Sequence, residues 1–198
     1  MNAIYEEMNN VWSPLVLDKI KELLMGGEIP WYLCTTDYYG NYKNPNSHKW
    51  QHIAYHKNVL SSAVGPYLEI AVLDALGRSG QDIDELIRIR CSVTEIGKES
   101  YVAGAHVDTN TPHRTALFYI NDSDGDTILY NELFDSEISN DQYKFYEENL
   151  NRQVTVAATS TPVENKMIWF DGLRYHSSNS PTTVAKRFII NVNYTVKS

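Results

Sequence analysis

The chain has 198 residues, 42% of them hydrophobic, and a formal net charge of −8, which fits one domain with a real core. The acidic balance argues against broad nucleic-acid binding, which relies on Lys and Arg neutralising phosphates. The first ten residues are acidic and carry no apolar run, so no secretory leader is expected, and no stretch approaches a membrane span; the expectation is a soluble, cytoplasmic protein whose two cysteines, Cys34 and Cys91, are buried free thiols.

Taken in chain order, the first predicted element is a helix. Ser13 caps it, Pro14 opens it, Leu17, Ile20 and Leu24 recur at helical spacing, and Gly26-Gly27 ends it. Residues 29–35 read as a short strand. Residues 37–51, rich in Tyr, Asn, Gly and Pro, read as a loop. A second helix is predicted to begin at or before Pro66 and to reach about Leu76, closed by Gly77 and Gly80. Residues 1–85 are therefore expected to be mostly helical support and lid, and residues 86–198 a β-rich core of the same single domain.

That core begins with 86–95 (LIRIRCSVTE), which alternates apolar and polar as a half-buried strand does. Further strand-like runs lie at 101–109, 115–121, 127–132, 154–159, 167–170, 175–177 and 188–196. A helix is predicted over 135–150, between the fourth and fifth of these strands. The Asp122-Ser123-Asp124-Gly125-Asp126 run reads as a hairpin turn rather than a calcium loop, because no bidentate Glu follows at the required spacing. Eight short strands with turns between them predict a jelly roll or barrel.

His106-Val107-Asp108 places two ligand types at i and i+2, on one face of a strand. His176, near the end of the strand series, supplies a third. Two imidazoles and one carboxylate form the facial triad of non-haem iron(II) sites, with three positions left open. His-x-Asp alone is weak, since about 0.4 such matches are expected by chance in this composition. Arg187 strengthens it by opening the last strand, where Arg187, Ile189 and Asn191 share one face and Phe188, Ile190 and Val192 the other. A guanidinium at a strand mouth binds a carboxylate through two parallel hydrogen bonds.

The ordered set HVD, HRTALFYINDSDGDTILYNE, MIWFDGLRYHSS and KRFIINVNY resembles the prolyl 4-hydroxylase-like branch of the iron(II)/2-oxoglutarate oxygenases. The resemblance covers roughly residues 86–194. It implies an α+β, mainly β fold, a double-stranded β-helix (jelly roll) with supporting N-terminal helices. It also implies a dioxygenase that couples oxidative decarboxylation of 2-oxoglutarate by O2 to hydroxylation of a substrate C–H bond. His106, Asp108 and His176 would hold Fe(II), Arg187 and Tyr119 would bind the C5 carboxylate of 2-oxoglutarate, and Asn191 would face the same co-substrate. Ascorbate would re-reduce the iron. Many members use Lys where Arg187 stands; Lys186 is adjacent, but the aromatic Phe188 favours Arg187. The sequence departs from the pattern at 94–97 (TEIG), where many members carry a tyrosine; Tyr101 is the substitute on offer.

The substrate of such an enzyme would be peptidyl proline or another protein side chain first, then a free amino acid or other small molecule. A non-catalytic jelly-roll binding module and a zinc hydrolase using His106, Asp108 and His113 are the competing readings. His48, His52 and His56, spaced by four, would share a helix face and offer a second metal site, or else lie in a loop or lid near the substrate. Trp169, Tyr130 and Asn131 lie on strands that border the pocket, with core packing the default for Trp169.

Overall fold

A computed structural model describes residues 3–34, 48–97, 102–134 and 154–197. Among them are eleven strands and two helices: β1 (Glu6–Asn9), α1 (Pro14–Met25), β2 (Tyr32–Cys34), β3 (Lys49–His56), β4 (Val59–Leu60), α2 (Gly65–Arg78), β5 (Ile83–Glu95), β6 (Arg114–Tyr119), β7 (Thr127–Leu133), β8 (Val156–Ser160), β9 (Lys166–Asp171), β10 (Arg174–Ser178) and β11 (Lys186–Val196). The large sheet runs β1-β9-β6-β11-β5-β3-β2, with β4 added to β3, and the small one runs β10-β7-β8. All pairs are antiparallel. The two sheets face each other, so the mainly β jelly-roll expectation holds.

Alternation along the strands sorts the large sheet into two faces. Ile89, Cys91 and Val93 of β5, Phe118 of β6 and Phe188, Ile190 and Val192 of β11 join Leu17, Ile20, Leu24, Leu68 and Val72 of the helices in one core. The opposite face looks into the jelly roll. There Leu117, Tyr119, Ile168, Phe170 and Ile189 meet Leu129 of the small sheet. A third cluster, with Val107, Ile128, Tyr130, Phe134 and Tyr175, covers the outside of the small sheet.

Both predicted helices form, but Gly77 does not close α2: it lies inside the helix, which runs on to Arg78 and is capped by Ser79. Ser13 takes an extended conformation before Pro14, although its hydroxyl makes no capping bond, and Gly26 ends α1. Residue 65 must be glycine, because a Cβ there would lie 2.6 Å from the Ala54 carbonyl oxygen of β3. The start of α2 is thereby seated directly on the sheet. Trp12 fastens the other side: its ring stacks on Phe118 at 5.0 Å and its indole N–H donates to Ala71 O at 3.0 Å.

Several expectations are corrected. Residues 1–85 are not mostly helical, since β1 to β4 lie there and extend the large sheet at both edges. The loop predicted to reach residue 51 gives way to β3 from Lys49, and that strand pairs with β5 along its length. His48, His52 and His56 therefore sit on or beside a strand, where residues four apart are separated by about 13 Å; they do not share a helix face. His52 is buried and its Nδ1 lies 2.9 Å from Pro30 O. The strand predicted over 101–109 reduces to single bridges at Val102 and His106. The Asp122–Asp126 turn links β6 of one sheet to β7 of the other, so it is no hairpin. The helix predicted over 135–150 and the substitute Tyr101 lie outside the described residues. Cys34 and Cys91 are both free thiols, but only Cys91 is buried; Cys34 is half-exposed. Burial pushes the Cys91 thiol up to about 12.

Candidate active site

His106 and His176 come together across two backbone hydrogen bonds, His106 N to His176 O at 3.0 Å and His176 N to His106 O at 2.9 Å. Their rings lie 4.7 Å apart. Asp108, two residues on, is fully buried at its side chain, and its Oδ2 stands 3.7 Å from His176 Nε2. One ligand atom from each of the three residues falls within 4.8 Å of the others. Among the described residues this is the one His/Cys/Asp/Glu group so arranged.

The tautomers suit a metal. His106 Nδ1 lies 3.0 Å from Gly104 O, and His176 Nδ1 lies 3.0 Å from Arg174 O. A carbonyl accepts only, so each Nδ1 carries the proton and each Nε2 presents its lone pair. Burial, assisted by the neighbouring His176, pushes His106 down to about 3, and burial likewise lowers His176. Both imidazoles are thus neutral at neutral pH, the form that ligates. Burial works to raise the Asp108 pKa, but Arg90 and Arg88 beside it outweigh burial and hold the carboxyl well below the usual range. The donor set of two neutral imidazoles and one carboxylate on a dry wall fits a first-row divalent metal.

Asp108 is flanked by two arginines and two carboxamides. Arg88 and Arg90, alternate residues of β5, approach Oδ1 at 2.8 and 3.0 Å. Asn191 and Asn193, alternate residues of β11, donate to Oδ2 at 2.9 and 3.1 Å. β5 and β11 are paired, with Asn191 opposite Arg90 and Asn193 opposite Arg88. Their shared register brings all four side chains to one carboxylate.

A second polar group lies deeper between the sheets. Arg187, 2% exposed, donates to Thr127 Oγ1 at 2.8 Å, and Tyr119 O–H donates to the same oxygen at 2.9 Å. The guanidinium sits 5.7 Å from the Tyr119 ring centroid. Burial lowers the Arg187 pKa, with Tyr119 and Asp126 opposing, and burial raises that of Tyr119. The Arg187 Nε is buried without a hydrogen-bond partner among the described residues. Gly125 makes room for it: a Cβ there would meet Asn179 O at 2.8 Å and Arg187 Cδ at 3.1 Å. Lys186, in contrast, is half-exposed and lies 4.0 Å from Glu95.

The sequence therefore locates His106, Asp108 and His176 as one group and Arg187 and Tyr119 as another. Asn191 is on the inner face as expected, but its amide bonds to Asp108. Thr127, Asn193, Arg88 and Arg90 were missed. The signal for the arginines was available: charges at alternate positions of a strand whose other face is apolar. His113 is separate from the triad, with its ring nitrogens 2.7 Å from Thr111 O and 3.3 Å from Thr115 Oγ1. Trp169 packs in the core against the helices, Tyr130 packs outside the small sheet with its hydroxyl on Ser177, and Asn131 is exposed.

No family model matches the chain, and no curated protein matches its sequence. Solved structures match its fold. A 2OG-Fe(II) oxygenase family oxidoreductase from Burkholderia pseudomallei superposes with a TM-score of 0.62 at 10% identity, over 97% of this chain and 85% of that one. HygX from Streptomyces hygroscopicus, solved with nickel and 2-oxoglutarate bound, gives 0.60 at 13% identity, over 98% and 83%. A Trichoplax adhaerens prolyl hydroxylase, solved with a hypoxia inducible factor peptide fragment, gives 0.58 at 14% identity, over 98% and 84%. The chain has the fold of 2-oxoglutarate/iron(II) oxygenases.

Proposed function

We propose that the chain is a non-haem iron(II) dioxygenase that couples oxidative decarboxylation of 2-oxoglutarate to hydroxylation of a substrate C–H bond. The observation that carries this is the convergence of one ligand atom each from His106, Asp108 and His176 within 4.8 Å of one another, with both Nδ1 protons directed to backbone carbonyls. These three residues would hold Fe(II), which when bound supplies the activation of dioxygen; ascorbate would serve as its reductant.

The chain's own side chains do the rest. Arg187 receives the far carboxylate of 2-oxoglutarate, a charge-assisted contact that satisfies its buried guanidinium. Tyr119 and Thr127 add hydroxyl donors beside it. Leu117, Leu129, Ile168, Phe170 and Ile189 form an apolar wall that keeps water from the reacting end. Peptidyl proline is the substrate to test first, because prolyl hydroxylases are among the proteins that share the fold. A small molecule is the second, since HygX shares it equally and was solved with hygromycin B.

The test is oxygen-dependent conversion of labelled 2-oxoglutarate to succinate, screened against proline-containing peptides and small molecules. Wild type is expected to turn over with Fe(II), and His176→Ala and Asp108→Ala to lose at least 100-fold of the rate, on the order expected for removing a catalytic group. Oxygen-dependent succinate formation that persists in His176→Ala would contradict the assignment of His176 as a ligand of the iron. A wild type that makes no succinate while binding metal and 2-oxoglutarate with every substrate offered would favour a binding module.

A further inference from the structure

His113 begins a chain of hydrogen bonds that ends on Asp108. Its Nδ1 lies 2.7 Å from Thr111 O, and its Nε2 lies 3.3 Å from Thr115 Oγ1. Asn193 Nδ2 donates to Thr115 Oγ1 at 3.0 Å and to Asp108 Oδ2 at 3.1 Å. Thr115 and Asn193 are buried register partners on β6 and β11, so strand pairing brings them together. The Asn193 Oδ1 is buried without a hydrogen-bond partner among the described residues. The orientation of this carboxamide is therefore decided on its N–H side.

Chemistry assigns each proton in the chain. A carbonyl only accepts, so His113 Nδ1 carries the ring proton and Nε2 offers a lone pair. Burial lowers the His113 pKa, which keeps the ring in that neutral form at neutral pH. The Nε2 lone pair takes the Thr115 hydroxyl proton. Thr115 Oγ1 is left as an acceptor, and Asn193 must turn its N–H side to it and to Asp108. Without the imidazole, the Thr115 hydroxyl would be free to donate to Asn193, which favours the flipped carboxamide with its oxygen against the carboxylate. The ring also has a built seat. A Cβ on Gly172 would collide with His113 Nε2, and Gly172 N–H donates to His113 O at 2.9 Å.

Resting on the iron-binding reading above, we propose that His113 is a positioning residue that acts through Thr115 to hold an Asn193 N–H on Oδ2 of Asp108. That hydrogen bond fixes the direction of the carboxylate and draws charge from it, which makes Asp108 a weaker donor to a bound cation.

The test reads the charge-transfer absorption of the Fe(II)–2-oxoglutarate chelate in the full-length protein, without oxygen, together with Mn(II) affinity by isothermal titration. His113→Leu and Thr115→Val are each expected to move the band to longer wavelength, because Asp108 relieved of the N–H gives more charge to iron. Each is also expected to weaken Mn(II) binding about 10-fold. The double variant is expected to match either single one, since both break the same chain. Thr115→Ser, which keeps the hydroxyl, is expected to leave the band where wild type has it. A band unmoved in His113→Leu would overturn the proposal, as would additive shifts in the double variant or a Thr115→Ser band displaced as far as that of Thr115→Val. If His113→Leu does not fold, Gly172→Ala, which pushes the ring off its seat, takes its place with the same expected shift. A wild type that develops no band removes the iron-binding reading itself, a result distinct from a band that the variants leave in place.

Discussion

At the scale of single residues, the deeper polar group makes the sharpest claims. Arg187 contributes a buried charge to a carboxylate partner, so Arg187→Ala is expected to weaken 2-oxoglutarate binding on the order of 10- to 100-fold. Tyr119→Phe and Thr127→Ala each remove one neutral donor and should cost about 3- to 10-fold. Isothermal titration of the metal-loaded protein reads all three, and an unchanged affinity in Arg187→Ala would move the carboxylate site elsewhere. Gly125→Ala tests the same pocket from behind. The added methyl would press on Arg187 Cδ and on the Asn179 carbonyl, so 2-oxoglutarate affinity should fall while Mn(II) affinity stays near wild type. Equal loss of both would mean that the substitution disturbs the fold and not the pocket.

At the scale of elements, β11 was legible and the N-terminal arm was not. The RFIINVNY run alternates so that one face is apolar and the other carries Arg187, Asn191 and Asn193, and both faces are buried in the structure. Such alternation fixes register, because a one-residue slip would drive the polar set into the helical core. The triad was legible from the residue types of His106-x-Asp108 and His176, although only His106 and His176 are paired, through a single bridge, and Asp108 lies in a bend beyond it. β3 was misread because Lys49, Trp50, Gln51 and His52 look polar and turn-like, yet each is at least half-buried once β5 pairs with it. β1 was missed because its four residues (EEMN) are polar and lie at the edge of the sheet, where only Met8 packs inward. The arm nevertheless contributes stability. Asn165 accepts from Trp12 N and donates to Trp12 O, each at 2.9 Å, pinning the segment that enters α1 to the turn before β9. Trp12→Ala is expected to cost about 3–5 kcal/mol in chemical denaturation. A loss below about 1 kcal/mol would show that the helices are not fastened to the sheet through this ring.

At the scale of the whole molecule, an acidic exterior encloses a cationic interior. The net charge is −8, yet Arg88, Arg90 and Arg187 face the space between the sheets, where Asp108 is the one buried carboxylate among the described residues. The histidines add a pH dependence. His106 and His176 are lowered in the folded state, so below about pH 6.5 the unfolded chain binds protons that the folded one refuses, and stability falls as the pH drops. The slope should be about 1.4 kcal/mol per pH unit for each such group, through a window that for His106 runs down to about 3. Denaturation of metal-free protein at a series of pH values reads it, and Asn at both histidine positions should flatten the upper part of that window. A curve unchanged by those substitutions would contradict the burial of both rings. The central claim, that His106, Asp108 and His176 bind iron beside a 2-oxoglutarate site built on Arg187, is tested most directly by anaerobic titration of metal-free protein with Fe(II) and 2-oxoglutarate. Wild type should develop the visible charge-transfer absorption of the iron–2-oxoglutarate chelate, saturating at one equivalent of iron, and His176→Ala should not. No absorption in wild type, or the same absorption in His176→Ala, would contradict it.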